Sequence, residues 1–187
     1  MKANFHTRIT WSQYSPNSKI KVGRCNTPWG IGLLGMIEAY ICSLTFIKEE
    51  IAQQKMSYTL PRTLKGIEHA SDDRELRSHW ETILEYWQTG ISDQLPYTLV
   101  FFGTPFQQAV WKGLLALPRG STLSYEALAA NIGYPKAIRA TATAVGQNPI
   151  SLLNPCHRII PKGGGVGKYA WGSQVKQQLL QEEGILI

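Results

Sequence analysis

Thr104-Pro105-Phe106-Gln107 is a stretch that can do little except start a helix. The threonine hydroxyl can accept from a first-turn N–H, proline fits the first helical position, and Gln107 completes a capping box. Phe106, Val110, Trp111, Leu114 and Leu115 follow at helical spacing and are predicted to face inward, until Leu117-Pro118-Arg119-Gly120 stops the helix. Ser124 caps a second short helix that ends at Gly133, and a third begins near Pro135 and runs toward Gln147. Two short helices joined by a tight Gly-containing turn predict a helix-turn-helix. Upstream the pattern is different. Lys19–Thr27 alternates as a strand, and Ile31–Ile47 is β-rich with a hairpin near Glu38-Ala39. Asp72–Gly90 carries Leu76, Trp80, Ile83, Leu84 and Trp87 at helical spacing, with the tryptophans read as core packing. Gln94–Gly103 reads as a linker and a strand, and the polar first twenty residues are expected to be loosely held. After the third helix come a strand and glycine-rich loop over Arg158–Gly172 and a last helix from Ser173 to Gly184. The expected fold class is an α/β N-terminal domain over residues 1–98 and a mainly α C-terminal domain over residues 99–187.

Composition narrows the function classes. Hydrophobic residues make up 43% of the 187, enough for a packed core. No apolar run reaches the length of a membrane span, and the first residues lack the apolar segment of a secretory signal. Three cysteines at wide spacing, with no CxxC pair, argue against a disulfide framework and for a reducing, cytoplasmic setting. Charge is uneven: residues 1–100 hold 11 Lys+Arg against 10 Asp+Glu, while residues 101–187 hold 8 against 3. A basic half suits a polyanionic partner, and a merely solvated basic surface fits it equally well.

In that basic half, Asn154-Pro155-Cys156-His157-Arg158 sets a thiol beside an imidazole. A cysteine attacks as thiolate, and an imidazole can take its proton. In an extended strand, however, neighbouring side chains point to opposite faces, so cooperation between Cys156 and His157 requires a turn or a bridging water. Glu182 and Glu183 are the only acids after Glu126 that could orient the imidazole. Inert packing is the alternative for any lone cysteine. His6, His69, His79, Cys25 and Cys42 are scattered without ligand spacing, so no metal is expected. Gly163–Lys168 lacks the Lys-Ser/Thr end of a phosphate loop, and no cofactor is expected. Ala140-Thr141-Ala142-Thr143-Ala144 makes the third helix small-sided, which suits close approach either to a groove or to another helix.

The run from Gly103 through Pro149, then PCHRII, GKYAWG and LLQEEG, resembles the O6-alkylguanine-DNA alkyltransferase family over about Thr104 to Gly184. The Ile31–Ile47 hairpin resembles it loosely. The resemblance implies a ribonuclease H-like N-terminal domain of structural role and a helix-turn-helix domain that performs repair. It implies direct reversal: one cysteine, here Cys156, irreversibly takes the alkyl group, chiefly methyl, from O6 of guanine, with O4-methylthymine as a further substrate. His157 matches the base that acts through a water, Glu183 the acid that orients it, and Asn148 the asparagine supporting the turn into the site. Tyr125 matches the tyrosine facing the flipped base, and Arg139 the finger that replaces it in the stack. Ala140 and Thr143 belong to the helix placed in the minor groove, and Arg158 and Lys168, with Lys136 and Lys162, are candidate phosphate contacts. The implied partner is double-stranded DNA bound by a monomer, with no membrane involved.

Two positions depart from the family pattern. Asn154 stands where an aliphatic residue is usual, and Trp171 stands where many members have glycine. The rival readings are a non-catalytic lesion-binding protein, against which Cys156 speaks, a helix-turn-helix transcription factor, and a Cys-His hydrolase. The third helix carries only Arg139 for reading base edges. Trp171 is expected to narrow the alkyl pocket. Trp171→Gly should therefore speed reaction with O6-benzylguanine, measured as the rate of benzyl transfer to Cys156; an unchanged rate removes that role.

Overall fold

The computed structural model describes residues 9–11, 20–47, 67–69, 74–89 and 97–186. The chain divides into two compact units, residues 1–102 and 103–187. The first is built on strands β1 (Ile9–Trp11), β2 (Ile20–Thr27), β3 (Gly30–Ile37), β4 (Tyr40–Ile47), β5 (Ile67–His69) and β6 (Thr98–Phe101), with helix α1 (Arg74–Thr89). They form a six-stranded sheet in the order β1-β6-β4-β3-β2-β5. The β2–β3–β4 meander is antiparallel, while β1–β6, β6–β4 and β2–β5 are parallel. Because β6 belongs to this sheet, the unit ends at Phe102 rather than at the expected residue 98. Ile9–Trp11 is a paired strand, contrary to the expected loose start; the rest of residues 1–19, the linker at 94–96 and the ends of the Asp72–Gly90 helix lie outside the described residues.

Local chemistry explains the meander. The Thr27 hydroxyl accepts from the Trp29 N–H and donates to the Gly30 carbonyl, closing the first turn. The second turn falls at Glu38-Ala39, as expected. Helix α1 lies on the sheet where two glycines leave room: a Cβ on Gly23 would sit 2.8 Å from Leu76, and one on Gly32 would sit 2.5 Å from Trp80. Trp80 is fully buried, and Trp87 packs edge-on against Trp29, so the tryptophan pair of α1 is core. Successive side chains alternate across a strand. Val22 and Leu33, neighbours of those glycines, accordingly point to the opposite face, where they cluster with Ile20, Ile37, Cys42 and Val100.

The second unit carries α2 (Pro105–Leu115), β7 (Leu123–Ser124), α3 (Tyr125–Asn131), α4 (Ile138–Gly146), a 3-10 turn at Cys156–Arg158, β8 (Ile159–Ile160) and α5 (Ser173–Glu182). Both arms of the capping box form: Gln107 N–H donates to the Thr104 hydroxyl, and Thr104 N–H donates to Gln107 Oε1. Val110, Trp111 and Leu114 are buried, while Phe106 and Leu115 are half-buried, Phe106 lying edge-on against Tyr134. Trp111 Nε1 donates to the Ala144 carbonyl at 2.9 Å, tying α2 to the last turn of α4. The same carbonyl also accepts from the N–H of Gln147, which caps the helix, at 3.2 Å. Ser124 caps α3 through the Ala127 N–H. The third helix starts at Ile138, later than expected, because Tyr134–Ala137 is spent on a turn. β7 and β8 pair in parallel as a two-stranded sheet.

Among the described residues no helix is long and apolar enough to cross a membrane. Gly32→Ala is expected to force Trp80 aside and cost about 1–3 kcal/mol by overpacking, read as a lower denaturant midpoint by tryptophan fluorescence.

Candidate active site

The segment between α4 and β8 is held by two side-chain amides. Asn148 Nδ2 donates to the carbonyls of Ile150 and Asn154, and its Oδ1 accepts from the Ile150 N–H at 3.3 Å. Asn154 Nδ2 donates to that same Oδ1 at 3.0 Å. The polar residue at the position of the usual aliphatic one therefore bonds to Asn148, and Asn154 is fully buried. These bonds hold a turn in which Leu152 takes φ +62°, a conformation costly for a residue with a Cβ. The turn delivers Pro155 and then the 3-10 turn Cys156–Arg158. Because those residues are not extended, Cys156 and His157 are not forced onto opposite faces, which answers the geometric objection raised by the sequence.

Glu183, at the end of α5, gathers the neighbours of that turn. His157 Nε2 lies 2.9 Å from Glu183 Oε1. The Arg158 guanidinium donates to the same carboxylate through Nε and Nη2, with its shortest contact at 2.8 Å. Gly120 N–H donates to Oε2 at 3.2 Å, and Arg158 Nη1 donates to the Leu117 carbonyl. Gly120 sits at φ +75°, so a glycine is what lets the α2–β7 loop present its N–H there. Arg158 is 8% exposed, and its guanidinium is divided between Glu183 and the Leu117 carbonyl. It is thus a support for Glu183 and not the phosphate contact expected from the sequence.

Protonation follows from these bonds. Burial alone pushes the Glu183 carboxyl up, but the hydrogen bonds and charges of His157 and Arg158 outweigh it and bring it down to about 2. An ionised carboxylate only accepts, so Nε2 of His157 carries the ring proton. Burial, only partly offset by Glu183, lowers the His157 pKa, so the ring is neutral near pH 7 and its buried Nδ1 holds the lone pair. Burial pushes the Cys156 thiol up, opposed by hydrogen bonds from Asn148 and Tyr169 and by the Lys176 charge. At rest Cys156 is a protonated thiol that needs a base. Cys42, by contrast, is pushed by burial to about 12 and is an inert core thiol.

Cys156 opens on a cavity of about 360 Å³ whose walls include Tyr125 from α3, Ala142 and Val145 from α4, Lys168, Tyr169 and Trp171. Arg139, Ala140 and Thr143 are exposed on α4, while Thr141 and Ala144 are buried, so the small-residue run serves an outer face and helix packing at once. Lys162 is exposed and pairs with Glu126 at 2.8 Å, and Lys136 and Lys168 are exposed.

Sequence reasoning missed Lys176. It is 1% exposed, lines the cavity, and donates from Nζ to the Ile159 carbonyl. Burial lowers its pKa to about 8, an effect opposed by Cys156. A signal existed: Lys176, Leu179, Leu180 and Glu183 fall at i, i+3, i+4 and i+7, the buried stripe of α5, with a charge at each end.

Residues 105–185 match the family model described as 6-O-methylguanine DNA methyltransferase, DNA binding domain. The fold is similar to that of the Mycobacterium tuberculosis O6-methylguanine methyltransferase crystal structure, with 30% identity, a TM-score of 0.70, and coverage of 88% of this chain and 92% of that one. The chain belongs to the O6-methylguanine-DNA methyltransferase family. Among curated members of the family, it is 49% identical over 85 residues to the methylated-DNA–protein-cysteine methyltransferase of Salmonella typhimurium, covering 46% of this chain and 50% of that protein. It is 43% identical over 109 residues to the Shigella flexneri protein of the same name, covering 57% and 63%. The chain thus spans between half and somewhat under two thirds of these two relatives. The Mycobacterium tuberculosis protein has also been solved in complex with DNA, and this chain matches that structure with 28% identity and a TM-score of 0.70. The shared architecture is an N-terminal α/β sheet followed by a helical C-terminal part.

Because the Glu183 pKa is depressed in the fold, the stability it contributes is present above its ordinary value of 4.5 and is lost as pH falls toward about 2. Acid unfolding of the wild-type chain should show that loss over this window. Glu183→Gln should remove its share of the pH dependence and, by leaving Arg158 buried without its anion, cost about 3 kcal/mol at neutral pH in denaturant titration.

Proposed function

We propose that this chain repairs alkylated DNA by direct reversal, with Cys156 accepting the O6-methyl group of guanine once and irreversibly. The observation that carries the reading is a buried thiol at a cavity, beside an imidazole whose far nitrogen is fixed by a carboxylate. His157 takes the thiol proton through a bridging water, and Glu183, braced by Arg158, keeps the imidazole in the tautomer with a basic Nδ1. The buried ammonium of Lys176 favours the thiolate by its charge. The thiolate attacks the methyl carbon in line. The S–C bond forms as the O6–C bond breaks, and the electron pair goes to the departing guanine. In the sum the proton lost by the thiol is gained by the base. The Tyr125 hydroxyl, held protonated by burial, donates a hydrogen bond to that base as it gains charge. A thioether is a poor leaving group, so the protein is consumed.

Access to O6 in a duplex requires the nucleotide to leave the stack. In this reading α3 and α4 act as a helix-turn-helix. The exposed Ala140 and Thr143 let α4 approach the minor groove, Arg139 fills the vacated stack position, and Lys168 meets phosphate. Asn148 positions the turn that carries the thiol. The N-terminal sheet is a ribonuclease H-like support, and the chain acts as a monomer in the cytoplasm on double-stranded DNA, with O4-methylthymine as a secondary substrate. The DNA complex of the Mycobacterium tuberculosis relative supports the choice of partner.

Incubation with a duplex containing O6-methylguanine, followed by mass spectrometry, should find one methyl group on the Cys156 peptide and none in Cys156→Ser. An unmodified thiol with retained binding to that duplex would instead favour a lesion-binding protein without transfer.

A further inference from the structure

We infer that Gln147 is a DNA-contacting residue that offers its side-chain amide hydrogens to a backbone phosphate, in an orientation fixed by Gln107, 40 residues away in the chain. The ligand rests on the DNA-repair reading; the orientation stands without it. Gln107 Nε2 donates to Gln147 Oε1 at 2.8 Å. The other end of the Gln107 amide is already taken, since its Oε1 accepts from the Thr104 N–H, also at 2.8 Å.

The orientation follows from donor chemistry. A backbone N–H only donates, so the Gln107 atom facing Thr104 is the oxygen, and its other terminal atom is the amide nitrogen. That nitrogen only donates, so the Gln147 atom it meets is the oxygen. The Gln147 NH2 group is thereby left on the side away from Gln107, and it takes no bond among the described residues. An amide able to flip would offer a phosphate its repelling oxygen as readily as its nitrogen. The capping box of α2 removes that ambiguity at the end of α4.

The position suits the ligand. Ala140, Thr143 and Gln147 fall at i, i+3 and i+7, one face of α4 carried on into its C-cap, and all three are exposed. Ala140 and Thr143 are short, so this face can come close to a strand, and Gln147 is the long polar side chain at its end. A helix C-terminus carries partial negative charge and by itself disfavours a phosphate. The last turn of α4 holds no basic residue to offset this. Gln147 supplies a neutral donor there, and glutamine side chains are among the groups that position a protein on the phosphate backbone.

The test is binding of an unmodified duplex by the full chain, followed by fluorescence anisotropy over a salt series. Gln147→Ala should weaken binding about threefold to tenfold. The slope of log affinity against log salt should stay at its wild-type value, because a neutral donor releases no counterion, whereas losing a cation from a phosphate would flatten it by about one. Gln107→Glu keeps the acceptor for Thr104, and so the capping box, but a carboxylate cannot donate to Gln147. It should therefore weaken binding too, and by more than it does in the Gln147→Ala background, where only its added charge acts. An unchanged affinity for Gln147→Ala, a slope flattened by about one, a loss that varies with the flanking base sequence, or an equal effect of Gln107→Glu in both backgrounds overturns the inference. A wild-type chain that binds no duplex removes the DNA-repair reading and this inference with it; a wild type that binds, with Gln147→Ala indistinguishable from it, removes the inference alone.

Discussion

The Glu183 carboxylate is the interaction on which the second unit's chemistry depends. One anion accepts from His157, Arg158 and the Gly120 backbone, and so joins the end of α5, the 3-10 turn and the α2–β7 loop at one point. A buried carboxylate with a single weak partner would protonate. Arg158, always charged, keeps it ionised, and an ionised Glu183 dictates which nitrogen of His157 carries the proton. The tautomer of the base is thus set by an arginine that makes no contact with the thiol in the described bonds. This also explains the demands on the flanking chain: a glycine at Gly120 to bring in a backbone donor, and a helix of the right length to end at Glu183.

Around that hub the polar groups separate by task. Asn148 and Asn154 bond mostly to backbone and to each other, shaping the turn that carries the thiol. Lys176 places a buried cation at the cavity while its ammonium is bonded to the Ile159 carbonyl. Each buried polar group satisfied in this way avoids the desolvation cost of an orphan. The opposite face of α4 has no such network. Its exposed residues Ala140, Thr143 and Gly146 are small, and the larger Ile138 and Arg139 stand at its start.

How much of this was legible follows the range of the interactions. The α2 capping box, the Ser124 cap, the hairpin turn at Glu38-Ala39 and the tryptophan face of α1 are decided within a few residues, and the sequence displays each of them. Glu183 was reached through the family resemblance, and the stripe it shares with Lys176, Leu179 and Leu180 shows that helical periodicity also pointed to it. Arg158 was misread because a surface cation and a buried ion-pair partner look alike in a string of letters; a carboxylate 25 residues away decides between them. The β1–β6, β2–β5 and β7–β8 pairings were not foreseen, since parallel pairing joins strands distant in sequence whose partners no local pattern names.

By itself, then, the sequence determined where helices start and stop, which thiol stands beside an imidazole, and to which family that order of motifs belongs, because caps, turns and periodicity act over one or two turns of chain. Only the tertiary structure decided the protonation of the base, the burial of Lys176, the partner of Asn154 and the bond from Gln107 to Gln147. Those depend on dielectric and on contacts between segments far apart in the chain, and both exist only once the elements have packed.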